Sequence, residues 1–89
     1  MLLNDAERDK YFHVANGTVI CSVWELEPAL AGMGEDTFRY HVNQDKNDFA
    51  SWAKGVLDDA QLSEGIAAAA DKKDMQLAVL RRLVNVLKV

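Results

Sequence analysis

The sequence contains little of what marks a secreted or membrane-spanning protein. Cys21 is the one cysteine among 89 residues, so no disulfide can form within the chain, and a reducing compartment is expected. No run approaches the ~18 consecutive apolar residues of a membrane-spanning helix. Residues 1–10 also lack the apolar core of a signal peptide. We therefore expect a cytoplasmic protein that makes no contact with a membrane.

Positive charge is also scarce. The chain has 10 Lys and Arg against 14 Asp and Glu, which gives a formal net charge of −4. Because nucleic-acid-binding proteins usually carry basic patches that neutralise phosphates, this charge argues against nucleic acid as a partner. The hydrophobic fraction of 49% is ordinary for a globular protein. With no repeat and no linker, we expect a flexible lead-in over 1–10 and a single small α-rich domain over 11–89.

A β-hairpin is predicted near the start of this domain. The segments 11–14 and 18–21 are rich in β-branched and aromatic residues, and Asn16-Gly17 lies between them. Asn-Gly favours a type I′ turn, since both residues tolerate a positive φ. A two-stranded hairpin is marginally stable by itself, so it should pack on the helices that follow.

The next segment has the pattern of a capped helix. Ser22 and Glu25 match a capping box, in which the glutamate reaches back to the Ser22 amide. The helix should run to about residue 31. Pro28 lies within it and predicts either a kink or the start of a second short helix.

Further helix patterns extend to the end of the chain. A helix from residue 35 should end near Asn43, and three more are predicted over 48–58, 60–70 and 72–88. The expected fold class is mainly α: a small helical domain of four to five helices with an N-terminal β-hairpin.

No catalytic, metal or cofactor site is expected. The two histidines, His13 and His41, are not accompanied by Cys-x-x-Cys, His-x-x-x-His or an acidic calcium loop. Cys21 could act as a nucleophile only beside an activating base or a helix N-terminus. We expect it instead to be buried as a small apolar residue.

One dense polar cluster lies at a predicted helix–loop–helix junction and comprises His41, Asn43, Asn47, Asp48 and Trp52. In a structural interpretation, Asn43 ends one helix in the left-handed region, and Asn47 or Asp48 caps the next. His41 bonds to Asp48 or to a backbone carbonyl, and Trp52 covers the junction while its indole N–H seeks an acceptor. In a functional interpretation, the same residues form a recognition surface for a peptide or ligand. The structural interpretation is preferred, because each residue has a local role available.

Four short motifs lie between residues 11 and 66. They are F-x-x-x-x-G at 12–17, S-x-x-E-L at 22–26, F-x-x-H-V-N at 38–43 and K-N-D-F-x-x-W at 46–52. Together they resemble a family of short prokaryotic domains of unknown function. The match covers roughly residues 11–66, and the stretch from His41 to Trp52 is its most specific part. The resemblance implies a bacterial or archaeal source and a small helical domain. It implies no activity, because the family has none assigned.

The last predicted helix has an apolar face wider than one packing partner covers. On a helical wheel its apolar residues span an arc of about 180°, whereas a helix packed on a small domain needs roughly 100°. We therefore expect an oligomer interface, with a second copy as the simplest partner. A monomer is the alternative, with the hairpin and the helix of Trp52 covering the two flanks. The residues assigned to the interface are Val79, Leu80, Leu83 and Leu87.

The expected function is that of a non-enzymatic protein-interaction module. It self-associates as a homodimer through its C-terminal helix, or it binds another protein. The alternative is a small regulatory or inhibitor protein that binds a larger enzyme or nucleic acid. An enzyme is placed third, since the sequence holds no catalytic constellation.

Overall fold

The computed structural model describes residues 6–87, which form a 3-10 helix, a β-hairpin and five α-helices in that order. The predicted mainly α fold with an N-terminal hairpin is therefore confirmed. β1 and β2 pair antiparallel. The elements are a 3-10 helix (Arg8–Lys10), β1 (Phe12–His13), β2 (Val19–Ile20), α1 (Val23–Gly32), α2 (Glu35–His41), α3 (Asp48–Gly55), α4 (Ala60–Ala68) and α5 (Lys72–Leu87).

The hairpin turn is not of the predicted type I′. The Val14 amide donates to the Thr18 carbonyl at 2.8 Å, so three residues, 15–17, form the loop. Within it the Gly17 amide donates to the Val14 carbonyl at 2.9 Å. Gly17 has a φ of 95°, whereas Asn16 has no positive φ. The loop is therefore a β-turn followed by one left-handed glycine, the usual geometry of a three-residue hairpin loop.

α1 begins without the predicted capping box. Ser22 occupies the N-cap position with an extended backbone, but its side chain makes no capping hydrogen bond. The carboxylate of Glu25 accepts from the Cys21 amide at 2.9 Å instead of the Ser22 amide. Pro28 lies inside α1, and the helix continues past it to Gly32, so no second helix starts there. The cost is one helical hydrogen bond that proline cannot donate.

α3 ends at Gly55, three residues before the predicted end. Asp58 has a φ of 53°, and the Asp59 amide turns back to the Ala53 carbonyl at 3.0 Å. Asp59 then caps α4, since its Oδ1 accepts from the Leu62 amide at 3.0 Å. The other predicted helix ends that fall within the described residues agree to within two residues, the ordinary uncertainty of helix boundaries.

The helices enclose one apolar core in the described part of the chain. α3 packs on α4, α5 packs on both α4 and α1, and β2 lies against α1. Every α-helix contributes to the core, which explains how a chain of this size buries enough apolar surface to fold. The largest fully buried side chains are Ile20, Val23, Leu26, Leu30, Phe38, Phe49, Leu57, Leu62, Ile66, Met75 and Val79.

Residues 6–10, expected to be part of a flexible lead-in, are packed on the domain. Ala6 is buried and its amide donates to the Cys21 carbonyl at 2.9 Å. The Lys10 carbonyl accepts from the indole N–H of Trp52 at 2.9 Å. The folded domain therefore begins no later than Ala6 rather than at the eleventh residue. The first five residues of the expected lead-in lie outside the described residues.

A buried ion pair joins the start of α4 to α5. The Nε of Arg82 lies 3.0 Å from Oδ2 and 3.2 Å from Oδ1 of Asp59. The two side chains are only 12% and 9% exposed. Sequence reasoning missed this pair, because the residues are 23 positions apart and each fits the pattern of a solvated helix residue. Replacing Arg82 would leave the carboxylate of Asp59 buried without this cation.

Candidate functional site

His41 lies at the centre of the helix–loop–helix junction. It is the last residue of α2 and is only 4% exposed. Its Nδ1 lies 3.0 Å from the carboxylate of Asp48, and its Nε2 accepts a hydrogen bond from the Ala15 amide at 3.0 Å. Since Nε2 is an acceptor here, the proton of the neutral ring lies on Nδ1 and is donated to Asp48. The rings of Phe12 and Phe49 pack on the imidazole with centroids 5.1 and 5.5 Å away.

Asp48 receives two hydrogen bonds on the same carboxylate oxygen. The donors are His41 Nδ1 and Lys46 Nζ, each at 3.0 Å. Burial raises the pKa of Asp48, but the hydrogen bonds from His41 and Lys46 and the charge of Lys46 outweigh burial. They hold this pKa below its ordinary value of 3.8. Asp48 is also the first residue of α3, where the helix dipole favours a negative charge.

The two asparagines hold the loop between α2 and α3. Asn47 is the N-cap of α3, and its Oδ1 accepts from the Ala50 amide at 3.1 Å, so Asn47 and not Asp48 caps this helix. The prediction that Asn43 ends α2 in the left-handed region is wrong, because Asn43 has no positive φ. Its side-chain amide donates to the Arg39 carbonyl at 3.2 Å instead. That bond satisfies one of the unpaired carbonyls at the helix end without a left-handed residue.

Trp52 covers the junction and is 7% exposed. Its indole N–H finds the expected acceptor in the Lys10 carbonyl, and its ring meets Phe12 edge-on with centroids 5.7 Å apart. The side chain therefore holds the N-terminal segment against α3. The partner could not be named from the sequence, since it lies 42 positions away in a segment without periodicity.

The arrangement around His41 restricts the chemistry that it can perform. A histidine oriented by a carboxylate is the geometry of a general base. Here the lone pair of Nε2 is already occupied by the Ala15 amide, and the ring is buried. Among residues 6–87, no group of three or more His, Cys, Asp and Glu side chains could hold a metal ion. The cluster as it stands therefore offers neither a free base nor a metal site.

Cys21 is partly exposed rather than buried as expected. Its Sγ donates to the carboxylate of Glu25 at 3.0 Å. The pKa of Glu25 is lowered because the amide and then the thiol of Cys21 donate to it. The thiol therefore donates to an acidic acceptor, and this contact is not the basic partner that activates a nucleophilic cysteine.

Among the grooves on the described surface, two lie beside the helices that follow the hairpin. One of about 510 Å³ lies between α4 and α5, and its lining includes Gly65, Ala78 and Arg81. The other, of about 690 Å³, lies beside the α2–α3 loop and includes Asn43 and Lys46. In the part of the chain that the structure describes, no buried side-chain polar atom lacks a hydrogen-bond partner. Neither groove therefore contains a buried side-chain polar group without a hydrogen-bond partner.

α5 divides its apolar residues between the core and the surface. Val79 and Leu83, which were assigned to the oligomer interface, are buried in the core at 0% and 8% exposure. They cannot form an interface, because α1 and α4 already cover that face. Leu80 and Leu87 are exposed. Together with two further exposed residues they form what we call the α5 stripe: Leu77, Leu80, Val84 and Leu87.

An exposed tryptophan was not singled out by the sequence reasoning. Trp24 lies in the first turn of α1 and is 47% exposed. The signal was available, because a helical wheel places Trp24 about 100° from Val23 and 160° from Leu26, which are both buried. Val19 and Tyr40 are the other large apolar or aromatic residues exposed outside α5 in the described part.

Comparisons with protein-family models, with curated proteins and with solved structures find no match for this chain. The resemblance to a prokaryotic domain family therefore stays a prediction. In the described part of the chain, no helix combines the length and apolarity that a bilayer crossing requires.

Proposed function

We propose that this protein is a non-enzymatic interaction module that self-associates through the α5 stripe. The observation that supports the proposal is an exposed row of four large aliphatic side chains on one helix, between 41% and 70% exposed. Contiguous exposed apolar surface of this kind is typical of interaction sites, whereas single exposed apolar residues are not. The setting that we propose is the cytoplasm of a prokaryote.

The spacing of the α5 stripe favours a second copy as the partner. Leu77, Leu80, Val84 and Leu87 are separated by three, four and three positions, as on one seam of paired helices. This spacing reads the same in both directions along the helix. A two-fold axis can therefore match Leu77 with Leu87 of the partner subunit and Leu80 with Val84 of the partner subunit, which is the self-complementarity that a two-fold interface requires.

Mass measurement across a concentration series tests the proposal. Sedimentation or light scattering should show a mass that rises from monomer to dimer between micromolar and millimolar protein. Val84→Glu should abolish the rise, because it buries an unpaired carboxylate in the seam. Val19→Glu is the matched control, since Val19 is 45% and Val84 47% exposed, and it should dimerise like the parent.

Two outcomes contradict self-association through the α5 stripe. The first is a parent that stays monomeric at every concentration, and the second is the same rise in mass with concentration for the Val84→Glu and Val19→Glu variants. The alternative of a regulatory or inhibitor protein that binds a larger enzyme or nucleic acid predicts such a monomer. In that case the α5 stripe would serve a partner of different sequence.

A further inference from the structure

The antiparallel packing of α1 on α5 fixes which residues lie at the same level. Lys72 Nζ donates to the carbonyls of Leu30 at 3.1 Å and Met33 at 2.8 Å, at the end of α1. One turn further along α5, Gln76 Nε2 lies 3.5 Å from the carboxylate of Glu27. The two helices are therefore antiparallel, and each residue further along α5 lies beside a residue about equally far back in α1.

The next turn places Trp24 level with Leu80. Residue 80 is four positions after Gln76, and residue 24 is three positions before Glu27, which are both about one helical turn. Both steps also rotate away from the core, since Trp24 is 47% and Leu80 41% exposed, whereas Gln76 and Glu27 are only partly exposed. Two large apolar side chains on neighbouring helices thus face solvent at one level.

We propose that Trp24 and the α5 stripe form one composite surface on which a second copy of this chain docks, with Trp24 as its central anchor. This inference rests on the proposed self-association and adds to it a second helix and an aromatic residue. The antiparallel pair α1–α5 of each copy then packs on the pair of the other copy, as in a four-helix bundle. Buried tryptophan is enriched among the residues that dominate interface energetics.

The area of the surface supports a second helix in the interface. From their exposed fractions, the four side chains of the α5 stripe offer roughly 400 Å² per copy. Two copies would then bury about 800 Å², which is the upper range of non-specific crystal contacts. Trp24 adds on the order of 100 Å² per copy, which brings the total to about 1,000 Å², the lower range of specific interfaces. The dimer is therefore expected to be weak and concentration-dependent.

Variants of Trp24 test the composite surface. Trp24→Ala should weaken the dimer at least tenfold in sedimentation equilibrium, which is the loss expected from an aromatic anchor. Tyr40→Ala is the matched control, because Tyr40 is an exposed aromatic residue on α2, and it should leave the dissociation constant within about twofold of the parent. Circular dichroism should show unchanged helicity for both variants, since neither side chain is buried in the core.

Fluorescence quenching gives a second readout that does not depend on a variant of Trp24. At low protein concentration acrylamide should quench the fluorescence of Trp24, and this quenching should weaken as the protein concentration rises and the dimer forms. The buried Trp52 should stay protected throughout. In monomeric Leu80→Glu the quenching should not change with concentration. If Leu80→Glu dissociates the dimer and Trp24→Ala does not, the composite surface is disproved and self-association stands. If the parent is monomeric at every concentration, both proposals fail.

Discussion

The backbone amide of Ala15 donates to Nε2 of His41 at 3.0 Å, across 26 positions of the chain. The bond joins the hairpin loop to the end of α2, and the other nitrogen of the same ring donates to Asp48 at the start of α3. One buried side chain thus connects three separate elements. A buried polar group whose hydrogen bonds are all made contributes to specificity, and its removal leaves its partners unsatisfied.

Replacing His41 should therefore destabilise the fold. We expect His41→Ala to lower the free energy of unfolding by about 2–4 kcal/mol, because it leaves a cavity and removes the acceptor of the Ala15 amide. His13→Ala is the control, since His13 is exposed on β1 and should change stability by less than about 0.5 kcal/mol. Urea denaturation of both variants measures the difference. Similar midpoints for the two would show that the buried ring is not a structural connection.

The second prediction concerns Gly17 in the hairpin loop. Gly17→Val should cost roughly 1–2 kcal/mol, since a β-branched residue resists the positive φ of 95° at this position. No atom lies within 4 Å of a Cβ added at Gly17, so the cost is conformational and not steric. Gly32→Ala is the control, because Gly32 has the same free space without a positive φ and should be neutral or stabilising. Thermal melts of equal midpoint for both variants would refute the left-handed assignment.

The elements that the sequence predicted correctly depend on neighbouring residues. Helix periodicity and the Asn-Gly signal act over a few positions, and so the five helices and the position of the hairpin were predicted. The His41–Asp48 bond was one of the two alternatives that the sequence indicated, because it crosses only seven positions. The type of turn was not, since it depends on which residues pair, and Val14 pairs with Thr18.

The features that the sequence could not predict depend on distant contacts. The acceptor of the Trp52 indole and the Asp59–Arg82 pair join segments whose relative placement no local pattern defines. The same holds for α5, whose wheel showed a wide apolar face but not which part of it α1 and α4 cover. Val79 and Leu83 were therefore grouped with Leu80 and Leu87, although the first pair is buried.

The helix cap at Asn47 can be separated from the charge at Asp48. Asn47→Ala should lower stability by about 0.5–2 kcal/mol, because the Ala50 amide loses its acceptor. Asn47→Asp should restore most of the loss, since aspartate is an equally good cap. Denaturant midpoints for the two variants measure both the loss of stability and its recovery. An alanine variant as stable as the parent would mean that the capping bond contributes nothing.

The lowered pKa of Asp48 predicts that the folded state loses stability in acid. Its pKa in the folded state lies below the ordinary value of 3.8, so the folded state favours the ionised carboxylate. The stability from this carboxylate is complete above the unfolded-state pKa and is lost as the pH falls through the folded-state pKa. Asp48→Asn should therefore be less stable than the parent at neutral pH, and the gap should narrow below about pH 3.8. A gap that stays constant from neutral to acid would contradict the linkage.

The pair of Asp59 and Arg82 should be the most sensitive charged contact described in this domain. Arg82→Met keeps much of the buried aliphatic chain and removes the guanidinium, which leaves the carboxylate of Asp59 buried without its cation. Breaking one side of a buried pair typically costs about 3–5 kcal/mol, a large part of the ~5–10 kcal/mol expected for a domain of this size. Arg81→Met is the control, because the neighbouring Arg81 is exposed and should change stability by less than about 0.5 kcal/mol. Double replacement with Asp59→Asn should recover part of the loss, since the asparagine still caps α4 and no charge stays buried. Guanidinium denaturation in which Arg82→Met unfolds at the same midpoint as Arg81→Met would show that the pair does not hold α4 to α5.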